Sequence, residues 1–302
     1  MDNVAAVAFG LLPAALRSAT PLLFALVGET VTQRAGIVNL GVEGQMLVGA
    51  ATAFGVTARS GNPWFGLVSG ALAGALLSLV HAVLCLRFRA NQFASGLSVW
   101  MLGFGISGYL GASLVGQSIT GFSPLSESIL GRVPFLGGLT PTVLLSFVAV
   151  GLAALLLFGT RFGLNLRAAG ESASGARVAG LSVSALQTGG IVFGGLLSGL
   201  GGAALAVDYA DTWAEGMTRG RGLVAVGLVI VARWNPLLAL PVALLFGAAE
   251  ALSLRVQSAG ATTSAHLLHT LPYVVSLAVF VLTCVTRRTT AAPAGLRAVL
   301  DR

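Results

Sequence analysis

The sequence contains no lysine: all seventeen of its basic residues are arginine. That absence excludes a nucleotide-binding loop in which a lysine holds the β- and γ-phosphates. It also excludes catalysis through a lysine Schiff base. If ATP drives this protein, another chain hydrolyses it. Charge is scarce as well, at 9% of residues against about 25% in a soluble globular domain. With 56% hydrophobic residues and a mean hydropathy of +0.91, the chain lacks the polar surface needed to face water. Cysteine is limited to Cys85 and Cys284, each near the end of an apolar run and just before an arginine. They read as inert packing residues rather than a disulfide or a metal pair. No basic residue precedes Arg17, so a cleaved signal peptide is not expected.

What the chain has is apolar runs, at about 4–27, 37–56, 63–86, 93–116, 141–159, 185–207, 221–234, 236–256 and 268–286. A helix needs about 20 residues to cross a bilayer. Run 221–234 is short and followed by Asn235-Pro236, which fits either a short span or part of a broken helix. Pro13, Arg17 and Pro21 leave open whether the first run is one helix or two. The expectation is a single transmembrane domain over 1–302, an all-α polytopic membrane bundle of nine to ten helices, some broken or re-entrant. The net charge of +7 and the pI near 10.9 do not point to nucleic acid, because the arginines are dispersed at the ends of apolar runs, as topology determinants are.

Arginine also suggests an orientation. Arg87 and Arg89 follow one run, Arg161, Arg167 and Arg177 follow another, and Arg287 and Arg288 follow the last. Placing those ends in the cytoplasm puts 117–140, 208–220 and 257–267 outside, with the C-terminus inside. Nine spans would place the N-terminus outside and ten would place it inside. Within 161–184, residues 161–181 stand out as a polar interruption, RFGLNLRAAGESASGARVAGL, that cannot cross hydrocarbon, where a centred arginine costs at least about 2.5 kcal/mol. This segment is expected to be a solvent-exposed cytoplasmic loop, long enough to serve a function.

The chain has forty-one glycines, many spaced four apart: Gly66, Gly70, Gly74 with Ser78; Gly103, Ser107, Gly111; Gly190, Gly194, Ser198, Gly202. That spacing puts small residues on one helix face and lets backbones approach closely in lipid. A role in helix sliding is the alternative. Few ionisable groups fall inside the runs. Glu43 and Glu250 are the clearest, while Glu29 and Asp208 lie nearer the ends. Intramembrane acids are functional candidates, and a proton-coupled carrier would use them as a relay. The plain alternative is a carboxyl bonded across a helix pair. Around Glu43, the residues Asn39, Gly41, Gly44 and Gln45 suggest a broken, polar-lined helix, so Asn39, Glu43 and Gln45 are candidates for a translocation path. His266 and His269 are three apart but have no third ligand nearby, which is a weak metal pattern. No catalytic triad, HExxH or paired catalytic carboxylate is present. Asp208, Tyr209, Asp211, Trp213 and Glu215 form either a solvated interfacial loop or an outer docking surface.

Three stretches carry a resemblance: ATPLLFALVGETVTQRAGIVNLGVEGQMLVGA at 19–50, NLRAAGESASGARVAGLSV at 165–183, and GMTRGRGLVAVGLVIVARWNP at 216–236. In order and spacing they resemble the permease subunits of bacterial ABC importers for nucleosides, within the wider group that also imports simple sugars and branched-chain amino acids. The first and third stretches point to the nucleoside branch, and the second is shared more broadly. The resemblance implies no enzyme activity and no cofactor. It implies a second related permease chain, a separate ABC ATPase and an external substrate-binding lipoprotein, working at the cytoplasmic membrane by alternating access. It places the ATPase-coupling helix within 165–183, with Arg167, Gly170, Glu171, Arg177 and Gly180 as candidate contacts. There Gly170 is expected to break the backbone, and Ser172 to cap the helix that follows. Asp208, Asp211 and Glu215 become candidates for docking the binding protein. The rivals are an importer of a sugar or amino acid, a proton-coupled carrier using Glu43 and Glu250, and a purely structural membrane subunit.

Overall fold

The computed structural model describes residues 2–127, 138–258, 265–286 and 292–296. Arg132, residues 259–264, Arg287, Arg288 and the side chains of His266, His269 and Cys284 lie outside the described residues. Each of the nine apolar runs forms a helix: α1 (Asp2–Arg34), α2 (Val42–Ser60), α3 (Pro63–Ala82), α4 (Gln92–Gly111), α5 (Pro141–Gly159), α8 (Val183–Ala204), α9 (Arg221–Val231), α10 (Pro236–Ser258) and α11 (Ala265–Thr286). Short α6 (Arg161–Glu171) and α7 (Ala173–Val178) lie between α5 and α8. Helix α3 continues as a π turn over Val83–Arg87, and α8 as another over Leu205–Tyr209. The fold is an all-helical polytopic membrane bundle.

Among the described residues, five helical stretches are long and apolar enough to cross a membrane on their own: Pro63–Arg87, Gln92–Gly111, Pro141–Gly159, Val183–Tyr209 and Pro236–Ser258. Helices α1 and α2 carry more polar groups, and their packing explains why. Pro13 and Pro21 lie inside α1 without dividing it, so the first run is one helix. A proline removes one backbone bond, which packed neighbours in a membrane bundle can offset. Arg17, inside the same helix, donates to the Asp208 carbonyl at 2.7 Å and lies 3.9 Å from its carboxylate. Large apolar side chains on the outer faces of α3 and α4 remain bare, including Leu76 (66% exposed), Met101 (68%) and Tyr109 (85%). In a bilayer, lipid covers them.

The core is built around α8, which packs on α1, α2 and α3. The glycine ladders make that packing possible. A Cβ on Gly74 of α3 would fall 2.6 Å from the Cα of Gly199 on α8, and one on Gly70 would fall 2.7 Å from the Gly49 carbonyl oxygen on α2. At such separations only glycine fits, and the gain is dispersion contact between backbones rather than a hydrophobic effect, which lipid does not supply. Ordinary helix packing therefore accounts for the ladders. Gly74→Leu or Gly199→Leu should lower the unfolding midpoint in detergent, with an overpacking cost of at least about 1–3 kcal/mol. Gly151→Ala and Gly227→Ala, where nothing lies within 4 Å, should leave it unchanged or slightly raised.

Candidate functional site

Between α1 and α2 the chain leaves helical geometry over residues 35–41 while staying inside the bundle, with only Leu40 partly exposed. Every polar backbone group there needs a partner, and non-helical backbone at membrane depth survives only where protein or a wet cavity surrounds it. Backbone carbonyls of α1 take the N–H groups of residues 35–37, and side chains from α1, α3, α4, α8 and the break itself supply further partners. The Val38 N–H donates to Gln92 Oε1 at 2.9 Å, and the Val38 carbonyl faces His81 Nε2 at 3.2 Å. The Asn39 N–H donates to Glu29 Oε1 at 3.1 Å, the Gly41 N–H to Asn39 Oδ1 at 2.9 Å, and Gln187 Nε2 donates to the Ala35 carbonyl at 3.2 Å. His81 is set in place by Ser95, whose hydroxyl lies 3.0 Å from Nδ1. Gln33 bonds Glu29 on one side and accepts from the Trp234 indole at 2.7 Å on the other.

The expected path residues sit at the far end of this break. Asn39 Nδ2 donates to Gln45 Oε1 at 3.3 Å, and both residues are fully buried. Glu43, 4% exposed, accepts three hydrogen bonds: from the Thr218 hydroxyl (2.6 Å) and from the Gly220 (2.7 Å) and Gly222 (2.7 Å) N–H groups. Those amides open α9, so the carboxylate sits where unpaired helix N–H groups favour negative charge. Two of the three resembling stretches, 19–50 and 216–236, thus meet at Glu43. His81, Gln92, Gln33, Gln187 and Trp234 were not singled out from the sequence. A histidine inside an apolar run was the available signal for His81; the other four carry no such local mark.

Residues 161–184 are not a loop but mostly two helices, and Gly170 does not break the backbone. It lies inside α6, against the end of α1, where a Cβ would collide with the Arg34 carbonyl oxygen. Gly36, at φ +84°, packs its backbone on Gly170, and Gly295 packs on the Gly170 carbonyl from the other side. The expected cap holds: Ser172 Oγ accepts from the Gly175 N–H at 3.1 Å and starts α7. Gly180, at φ +79°, ends α7, with Gly180 N–H bonded to the Arg177 carbonyl and Leu181 N–H to that of Ala176. This is the left-handed glycine stop of a helix. Arg167 is half-buried, its guanidinium 5.3 Å from the Phe158 ring. Glu171 accepts from the Ala294 N–H at 2.9 Å, so its carboxylate holds the chain's own 292–296 segment. Arg177 is exposed, as is Val178 at 91%.

At the opposite end of α8, Asp208 does not face outward. It is 3% exposed and accepts from the Thr140 hydroxyl at 2.7 Å and from that of Thr142. Burial inside the bundle removes it from any docking surface. Asp211 is half-buried, and burial, with the Asp208 charge after it, pushes its carboxyl above the usual carboxylate range against the pull of Arg17. Glu215 is exposed. Beside it opens a cavity of about 580 Å³, bounded by residues 209–221, α10 and α11. Asn39, Glu43 and Gln45 do not line it.

A lipid-faced helical bundle with a bonded internal break and polar segments at both ends is that of a multi-pass membrane protein. The family described as branched-chain amino acid transport system / permease component matches residues 11–284, and the chain belongs to it. It is 40% identical to a Haloferax volcanii protein provisionally named glucose ABC transporter permease protein TsgC13, over 83% of this chain and 79% of the relative. It is 34% identical to the guanosine ABC transporter permease protein NupQ of Bacillus subtilis, over 81% and 82%. It is 32% identical to the nucleoside ABC transporter permease protein NupC of Lactococcus lactis, over 76% and 77%. The chain is therefore the non-catalytic permease component of an ABC importer, a multi-pass membrane protein, and the proton-coupled carrier reading is set aside. Glu43→Ala would strand three donors at about 1–3 kcal/mol each and should sharply lower the unfolding midpoint of the purified protein. Glu43→Gln keeps one acceptor oxygen and should lose less.

Proposed function

We propose that this permease imports nucleosides across the cytoplasmic membrane by alternating access, together with a second related permease chain, an ABC ATPase and an external substrate-binding lipoprotein. In this reading α6 and α7 face the cytoplasmic ATPase, residues 208–220 face outside, and the C-terminus lies on the cytoplasmic side. One observation carries it: the polar segments lie at the two ends of Val183–Tyr209, a stretch of 27 residues and so about 40 Å long, with the bonded break running between them. The break begins at Gly36 against Gly170 of α6 and ends at Glu43 against the start of α9. A shift of α6 on ATP-driven closure therefore has a packed route to the outer half of the bundle. The exposed surface of α7, with Arg177 and Val178, is the part free to enter a groove on a partner. Arg167, Gly170 and Glu171 act behind it, holding α6 against Phe158, α1 and the 292–296 segment.

The nucleoside assignment is supported by the stretches at 19–50 and 216–236 and by the relatives named for guanosine and nucleoside transport. A sugar is the second reading, favoured by the 40% identical relative named for glucose. Cells without nucleoside uptake of their own, expressing this chain with its three partners, should accumulate labelled guanosine. That uptake should persist in excess glucose and vanish when the ATPase cannot hydrolyse ATP. Accumulation of glucose with guanosine excluded would make the sugar reading correct.

A further inference from the structure

We propose that the outer cavity is a binding site for an uncharged, ring-bearing solute, and that the Arg221–Glu250 pair makes it reject the solute's phosphate ester. The proposal rests on the reading above for the side of the membrane and for a nucleoside as the solute. At about 580 Å³ the cavity is of ligand size. Tyr209, Phe246 and Tyr273 line it. Phe246 is buried and meets Tyr273 edge to face, centroids 5.7 Å apart, so it holds the half-buried Tyr273 ring, which with Tyr209 offers aromatic surface for a flat base or the apolar face of a sugar.

Its charges balance. Arg219 and Arg221 stand against Glu215 and Glu250. Arg221, 6% exposed, donates to Glu250 Oε1, which also accepts from the Tyr209 hydroxyl at 3.4 Å. Arg221 Nε and Glu250 Oε2 are buried with no partner, one a donor and the other an acceptor. A solute that carries both kinds of group completes that set. A phosphate dianion finds no net positive charge there to offset the loss of its hydration, because each arginine is matched by a carboxylate, and the balanced set selects against it. Glu43 takes part indirectly. It holds the Gly220 and Gly222 amides, one on each side of Arg221, and so fixes the backbone from which Arg221 projects.

The test uses the full chain assembled with its partner permease and ATPase in lipid nanodiscs, without the binding lipoprotein. Equilibrium dialysis compares labelled guanosine with guanosine 5′-monophosphate, and glucose with glucose 6-phosphate. Guanosine should bind at least about tenfold more tightly than its monophosphate. Glu250→Gln should narrow that gap severalfold by strengthening monophosphate binding, and Tyr273→Leu should weaken guanosine. Ala214→Arg adds a positive charge at the exposed rim without touching the buried pair, and should also narrow the gap; it decides the matter if Glu250→Gln fails to fold. Equal binding of the two guanosine compounds, or a gap that Ala214→Arg leaves unchanged, would overturn the proposal. Absence of any binding in an importer that still transports guanosine would overturn the cavity site and leave the nucleoside reading standing. Binding of glucose with exclusion of its phosphate, and no binding of guanosine, would uphold the site and overturn the nucleoside reading.

Discussion

Seven residues, 35–41, cross the interior of a membrane bundle without forming a helix, and each of their buried N–H and C=O groups must find a partner inside the protein. That requirement organises the structure around them. It puts His81 and Gln92 on α3 and at the start of α4, Glu29 and Gln33 in the last turns of α1, and Gln187 on α8. All five occur in or beside otherwise apolar runs, where an unpaired polar group costs several kcal/mol. The break thus draws four helices into one hydrogen-bonded unit, and the glycine ladders bring those helices close enough for the side chains to reach.

The break also joins the two parts of the protein that the transport reading needs to communicate. Three glycines, Gly36, Gly170 and Gly295, stack backbone on backbone where α1 ends, so α6 cannot shift without pressing on the break or on the 292–296 segment. At its other end Glu43 fastens α2 to the start of α9, beside Arg221 and the outer cavity. Contacts this close are well suited to passing on displacement, because packed interiors switch between discrete arrangements rather than deforming smoothly.

Much of the fold was legible in the sequence because lipid imposes simple rules. Apolar runs of sufficient length become helices, and all nine did so, including the short run 221–234, whose helix ends at Val231 before the left-handed Arg233 and Trp234. Ser172 was legible as a cap because its hydroxyl acts on a residue only three positions away. What stayed hidden depends on contacts distant in sequence. Gly170 reads as a helix breaker by propensity, yet it serves in a helix as a contact surface for α1. Asp208 reads as exposed charge but is enclosed by Thr140, Thr142 and Arg17, and Glu171, exposed as expected, also holds the 292–296 segment. The neighbourhood of Glu43 was legible as polar and broken; the partner it binds, 175 or more residues further along the chain, was not. The cavity beside Glu215 was legible only in part: Tyr209, Glu215 and Glu250 stood out one by one, but not that rings from three separate helical elements come together around them.

The central claim is that the break is a closed, internally bonded structure rather than the wall of a water-filled channel. Amide hydrogen exchange of the purified permease, resolved to peptides within 35–45, measures this directly. The account predicts that the amides of Val38, Asn39 and Gly41 exchange as slowly as those in the middle of α2, despite lying outside any helix. Exchange at rates typical of exposed loops would contradict it, because it would show those groups bonded to water and not to Gln92, Glu29 and Asn39.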